Sequence, residues 1–294
     1  MKPEVRRRLE PLPGTAGGSL PPGSESDSQY WDEIADIWEA AQAQALWREH
    51  SDTVNRSLFD GWLPFGLDRV LKTDLWDEAM GEGLYPVLST RANAVTGVDI
   101  SGAIVEAARS RYPSLEGVVA DVRRLPFEDA SFDGIVSNSS LDHFESAGDI
   151  VASIRELRRV LRSDGHLLLT LDNPANPLVA LAKMLPRKAL NRLWLRYGEA
   201  SARLGMLPYY VGATYGQRRL RRLLAEEGFD VREVRAVVHS PRVIAVLLAN
   251  VLENRGSTEA QERFLRRLMT LERLGTWPTR FVTGHFVAVR AVRR

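Results

Sequence analysis

Two aspartates close apolar runs in the stretch from residue 95 to residue 143. One run ends on Asp99 and is followed by a helix-like segment; a second, shorter run ends on Asp121, and a third begins just after Asp133. Such runs read as parallel strands buried on both faces, whose carboxyl ends border the ligand crevice of an open α/β sheet. Two carboxylates placed there can accept hydrogen bonds from the hydroxyls of a ribose and from the amino group of an adenine. A strand-end aspartate can also cap the next helix, although after Asp99 the residue Ser101 is available for that task. Ser137 and Asn138 end the fourth run, and His143 follows on the next loop. A histidine titrates near neutrality, so His143 can take a proton from a substrate hydroxyl; a partly exposed loop histidine is the competing reading. Asp142 stands next to it as an orienting group, though adjacent residues rarely face the same way.

For these groups to meet, the chain must supply parallel strands joined by helices. At 294 residues, 44% hydrophobic and 26% charged, it is long enough for one large domain. Strands are predicted over 69–75, 93–98, 117–122, 132–138 and 166–172. Helices are predicted over 101–112, with Ser101 as N-cap and Pro113 as stop, and over 149–161, with a terminating turn at 162–165. Residues 76–83 read as a loop and the next eight as a helix. The alternation stops at 173: residues 174–212, rich in Leu and Arg and broken at Pro186, read as a helical lid insertion. It resumes with a helix over 217–227, Gly228 as C-cap and a strand over 229–238. A second helical insertion at 242–275 and a last strand over 280–290 complete the chain. The expected fold class is α/β, a doubly wound, mostly parallel sheet of about seven strands with a helical lid.

Ahead of the sheet, residues 1–28 have the Pro, Gly and Ser content of a disordered tail. Residues 29–66 read as an N-terminal helical cap, with Trp31, Ile34 and Trp38 at helical spacing, then a short helix and a loop broken at Pro64 and Gly66. Such an aromatic helix ahead of the first strand can fold over a bound cofactor, and core packing alone would also explain Trp31 and Trp38; Tyr30 is the better candidate for ligand contact. Residues 67–294 form the α/β domain.

Composition narrows the function classes. A net charge of +1 makes no electrostatic case for nucleic acid. The absence of cysteine excludes disulfides, thiolate metal sites and cysteine nucleophiles, and five scattered histidines have no metal-ligand spacing. The longest apolar run, 243–252, falls short of the ~20 residues of a spanning helix. No secretory signal is visible, so the expectation is a cytoplasmic protein with no stable membrane insertion. Neither G-x-S-x-G nor the G-x-G-x-x-G dinucleotide fingerprint occurs.

The segments VTGVDIS, ADVRRLPFEDASFDGIVSNSSLDHF, LRRVLRSDGHLLLTL and LRRLLAEEGFDVREV, in this order, resemble the class I S-adenosylmethionine-dependent methyltransferases that modify small molecules, with their Rossmann-like fold. The resemblance runs from about residue 29 onward and is strongest over 95–171. It implies S-adenosyl-L-methionine as cofactor, with Asp99 on the ribose, Ile100 over the adenine, Asp121 on the adenine amino group and Val122 using its backbone N–H on the ring. It places Asn138 beside the sulfonium and substrate, and makes Asp133 structural. The sequence departs from the family at the first motif. In place of a tight glycine turn, the first strand runs into WDEAMGEG, whose glycines Gly81 and Gly83 come late. Asp74, with Glu78 as rival, is the candidate to hold the cofactor's amino group, with Gly81 and Gly83 brought to the cofactor by a longer loop. The lid is expected to shape an apolar acceptor pocket, with Tyr209, Tyr210 and Tyr215 orienting a small-molecule acceptor, O-methylation favoured and His143 catalytic. The alternatives are a protein of this fold that binds the cofactor for other chemistry, and a non-catalytic binding protein.

Overall fold

The computed structural model describes residues 28–29, 31–32, 44–184, 189, 196 and 210–294. Tyr30, Tyr209, most of the 1–28 tail and most of the expected lid lie outside the described residues.

Seven strands form one sheet: β1 (Leu67–Lys72), β2 (Ala92–Asp99), β3 (Glu116–Val119), β4 (Phe132–Asn138), β5 (Leu161–Asp172), β6 (Phe229–Val237) and β7 (Phe286–Arg293), in the order β3-β2-β1-β4-β5-β7-β6. The first five are parallel, and β7 runs antiparallel between β5 and β6. β4 is buried at every residue and β5 from Leu167 to Asp172, as a sheet covered on both faces requires. The order reverses between β1 and β4, so the crevice opens above their carboxyl ends.

The helices are α1 (Ala45–Trp62), α2 (Trp76–Met80), α3 (Tyr85–Arg91), α4 (Gly102–Arg111), α5 (Ala147–Val160), α6 (Pro177–Lys183), α7 (Gln217–Glu226), α8 (Arg242–Arg255), α9 (Thr258–Leu271) and α10 (Arg280–Thr283). Ser101 caps α4 by accepting from Ile104 N, and Ser146 caps α5 by accepting from Gly148 N. α1 is longer than the short helix expected, and the loop broken at Pro64 and Gly66 follows it before β1. Its buried residues Leu46, Val54, Leu58, Phe59 and Trp62 belong to the core cluster that includes Val70, Leu75 and Leu88.

Four local expectations change. The first strand ends at Lys72 rather than at residue 75, because the Lys72 side chain turns back onto Asp74. Residues 76–80 are helical, not a loop: Gly81 N closes the turn on Asp77 O at 2.8 Å. The expected turn at 162–165 is absorbed into β5 as an irregularity, where pairing jumps from Phe132↔Leu161 to Gly134↔His166 and Asp164 adopts a positive φ of 61°. The last strand starts at Phe286 rather than 280, since Gly284 N closes α10 on Arg280 O. Asp133 is structural: its Oδ2 accepts from Arg69 N at 2.7 Å, and its other oxygen pairs with Arg162, tying β4 to β1 and to the start of β5.

Candidate active site

A cavity of about 470 Å³ opens at the carboxyl ends of β1, β2 and β4. Its wall includes eight residues singled out from sequence: Asp74, Asp99, Ile100, Asp121, Val122, Asn138, His143 and Tyr210. Gly81 and Gly83 do not line it, because the helical turn of α2 places them beyond the strand end. Tyr215 is buried elsewhere, its hydroxyl donating to Ala147 O at 3.4 Å and its ring beneath Arg219.

Each carboxylate has a defined setting. Asp99 accepts from Leu75 N through Oδ2 and from Ser101 N through Oδ1, both at 3.0 Å. Those bonds hold the carboxylate at the strand end while Ser101 does the capping. Burial raises Asp99 to about 6, against the two N–H groups and Lys72, which pull it down. Asp121 is engaged by Arg123, whose Nη2 lies 2.6 Å from Oδ2 and whose backbone N–H donates to Oδ1 at 2.8 Å. Arg123 also reaches Asp149 at 3.4 Å and lies over the Phe144 ring, so it bridges this side of the cavity.

At the opposite end, the modified first motif forms a buried ionic cluster. Lys72 and Glu78 pair at 2.8 Å, with side-chain exposures of 1% and 0%, and Lys72 also contacts Asp74 Oδ1 at 3.1 Å. Glu78 Oε1 accepts from Leu84 N and Tyr85 N and fixes the start of α3, so Glu78 is committed to the scaffold and only Asp74 faces the cavity. Burial pulls the Lys72 ammonium down, but Asp74, Glu78 and Asp77 reverse this and hold it above the ordinary lysine range. Burial raises Asp74 to about 8, Lys72 opposing and Asp77 and Glu78 adding to the rise. Asp77 accepts from Asn138 Nδ2 at 3.1 Å, which links this end of the cavity to β4.

His143 sits on a 3-10 turn (Leu141–His143) held from below by Asp142. Asp142 Oδ2 accepts from Asp172 N at 2.6 Å and from Ser139 Oγ at 3.1 Å, so it secures the turn rather than the imidazole. His143 Nδ1 lies 3.0 Å from the carbonyl oxygen of Tyr210. A carbonyl only accepts, so the proton of neutral His143 sits on Nδ1 and Nε2 keeps its lone pair. Trp31 packs edge-on against His143 at 5.0 Å and against Trp76 at 6.1 Å.

The sequence reading missed the face of α1. Arg48, Ser51, Asp52 and Asn55 all line the cavity, as do Trp47, Trp76 and Asp77. The signal was the 48/51/52/55 spacing, which puts four polar side chains on one side of a helix. Asp52 is raised to about 7, by burial first and by Asp77 second, with the Gly83 N–H opposing.

With this geometry in view, the family described as "Methyltransferase domain" matches residues 76–169. A "probable S-adenosylmethionine-dependent methyltransferase" of Mycobacterium tuberculosis is 33% identical over 106 residues, 36% of this chain and 38% of that protein. Over these residues the chain is similar to S-adenosylmethionine-dependent methyltransferases. A "probable tRNA methyltransferase 9B" of Homo sapiens is 36% identical over 93 residues, 32% of this chain and 20% of that protein. The chain therefore spans less than two fifths of the length of both relatives. Similarity of fold reaches beyond the matched residues: the solved structure of the 4+2 cyclase SpnF superposes with a TM-score of 0.56, at 16% identity, covering 94% of this chain and 97% of that one.

Two outcomes test the electrostatics of the domain. Lys72→Met leaves Glu78 and Asp74 buried without their cation and should lower unfolding stability by about 3–5 kcal/mol in denaturant titration. A Glu78→Gln change in the same chain should recover part of the loss. Asp52 has a folded pKa above its unfolded value, so its contribution is fully present at acid pH and is lost as pH rises through about 7. Asp52→Asn should therefore raise the melting temperature relative to wild type more at pH 8.5 than at pH 5.

Proposed function

We propose that the protein is a cytoplasmic enzyme that transfers a methyl group from S-adenosyl-L-methionine to a small, apolar acceptor, at a hydroxyl oxygen. The observation that carries this reading is the convergence of Asp99, Ile100, Asp121, Val122, Asn138 and His143 on one cavity. Its volume suits a cofactor-sized ligand. The wall also fits a ligand rich in donors: Asn55 Oδ1 and Asp74 Oδ2 are buried at the cavity and accept no hydrogen bond among the described residues.

In this reading Asp99 receives the ribose hydroxyls on the lone pairs that Leu75 N and Ser101 N leave open. Ile100 and Val122 flank the adenine, and Asp121 accepts from its amino group as the Arg123 side chain gives up part of its hold on that carboxylate. Asp74 faces the amino group, and Asn138 stands near the sulfur. When bound, the cofactor supplies a methyl group already activated on a sulfonium, so the protein's task is alignment and exclusion of water. Trp31, Trp47, Trp76, Phe144 and Phe286 line the same cavity, and this supports an apolar acceptor. Tyr210 orients it, and His143 Nε2 takes its hydroxyl proton. An aromatic-walled cavity of this size favours a small molecule over the tRNA that the human relative's name carries. No helix among the described residues is long and apolar enough to cross a membrane.

Calorimetry with S-adenosylmethionine tests the cofactor, and S-adenosylhomocysteine release with hydroxylated aromatic acceptors, against unmodified tRNA, tests the reaction. Asp99→Ala should weaken cofactor binding by about 1.5–3 kcal/mol, the loss of charge-assisted hydrogen bonds; unchanged affinity would put the ribose elsewhere. His143→Gln should lower kcat by about 10²–10⁴-fold with cofactor affinity intact. A normal kcat in that variant would remove the general base.

A further inference from the structure

A glycine turn presents backbone N–H groups to the amino-acid end of a cofactor. Here that place is occupied by Asp74, Trp76 and Asp77, and the backbone of residues 76–80 is spent on its own helix. Something else must meet the charged end of the ligand. We propose that the cavity face of α1, through Arg48, Asp52 and Asn55, closes with Asp74 and Asp77 into a side-chain clamp for the α-amino-acid group of S-adenosylmethionine. The clamp rests on the cofactor reading above and adds to it residues outside the sequence-matched domain.

Three observations converge on it. Arg48, Asp52 and Asn55 are spaced by four and three along α1, so they share one side of the helix, and all three line the cavity. Phe59, one turn beyond Asn55 on the same stripe, and Val54 and Leu58 on its flank are buried, so this face is held inward with no freedom to turn away. The acceptors are arranged for a cation. Asn55 is only 4% exposed, yet its Oδ1 accepts no hydrogen bond among the described residues, and the same holds for Asp74 Oδ2. A buried acceptor without a donor is costly and uncommon, and an ammonium brings three donors at once. Finally, the charges have the polarity of an amino acid. Arg48 lies in the field of Asp52 and Asp77, so a guanidinium able to grip a carboxylate stands beside carboxylates able to grip an ammonium.

The late glycines take on a new part in this arrangement. The Gly83 N–H donates to Asp52, and a Cβ on Gly81 would stand 3.4 Å from Asp52 Oδ2. They support the clamp from behind instead of touching the ligand. Gly83 cannot carry a side chain: its φ is +58°, and a Cβ would come within 2.6 Å of Glu78 Oε1.

Two ligands separate the clamp from the rest of the site: S-adenosylhomocysteine and 5′-methylthioadenosine, which keeps the nucleoside and sulfur but lacks the amino-acid group. In wild type, S-adenosylhomocysteine should bind at least about 100-fold more tightly, since several charge-assisted hydrogen bonds are at stake. Asp52→Asn and Asn55→Ala should each reduce that ratio by about tenfold or more while leaving 5′-methylthioadenosine affinity within about twofold. A wild-type ratio near one overturns the clamp without any variant. So does a ratio that both variants preserve. Failure of both ligands to bind the wild-type protein overturns the cofactor reading and the clamp with it, whereas binding of both with equal affinity overturns the clamp alone.

Discussion

Lys72 is a charged side chain at the end of a buried central strand, and the upper end of the sheet is built around satisfying it. Its ammonium is surrounded by Glu78 Oε2 at 2.8 Å, the Asp74 carbonyl at 2.7 Å and Asp74 Oδ1 at 3.1 Å. An ammonium with 1% exposure is stable only if its charge is matched and its donors are met. Meeting them pulls the chain back over β1 and directs it into the short helix α2. The other oxygen of Glu78 then receives two backbone N–H groups at the head of α3. The path from the first strand to α3 is thereby tied to a single cation.

That constraint explains why the ligand end of β1 looks unlike a glycine turn and yet leaves a cavity. With Leu75 packed beneath and Trp76 turned to the cavity, the strand end offers side chains where backbone amides would otherwise point. Space for a ligand survives because α1 arrives with a polar rather than an apolar face. The result is acidic, with Asp52, Asp74, Asp77 and Asp99 on one wall. Three of these are raised, to about 7, 8 and 6, by burial as the leading cause. A protein selected for stability alone would not gather them. They make sense as a site that gains its balance from a cationic ligand, and such strained groups concentrate where function resides.

Much of the sheet was legible in the chain. The central strands read as unbroken apolar runs because both their faces are covered, and Ser101 marks a helix start by a side-chain chemistry that is local. Strand ends were less legible. Nothing near Thr73 announces that β1 stops at Lys72, since the cause is the hold of its ammonium on Asp74 and Glu78, two and six positions on. The bulge at the start of β5 was read as a turn for a related reason: Asp164 has turn chemistry, and only pairing with β4 makes its neighbourhood a strand.

The sequence by itself determined one side of the cavity, the ends of β2 and of the run after β3. Asp99 and Asp121 are set by where apolar runs end, a pattern written in neighbouring residues. Beyond Asp74, tertiary structure decided what stands on the other side. Gly81 and Gly83, close in sequence to the expected motif, are carried away from the cavity by one turn of helix. Arg48, Asp52 and Asn55, some twenty residues earlier, are carried into it by the packing of α1 against the core. Periodicity reports which residues share a helix face, but not which element that face will meet; that depends on contacts between segments far apart in the chain.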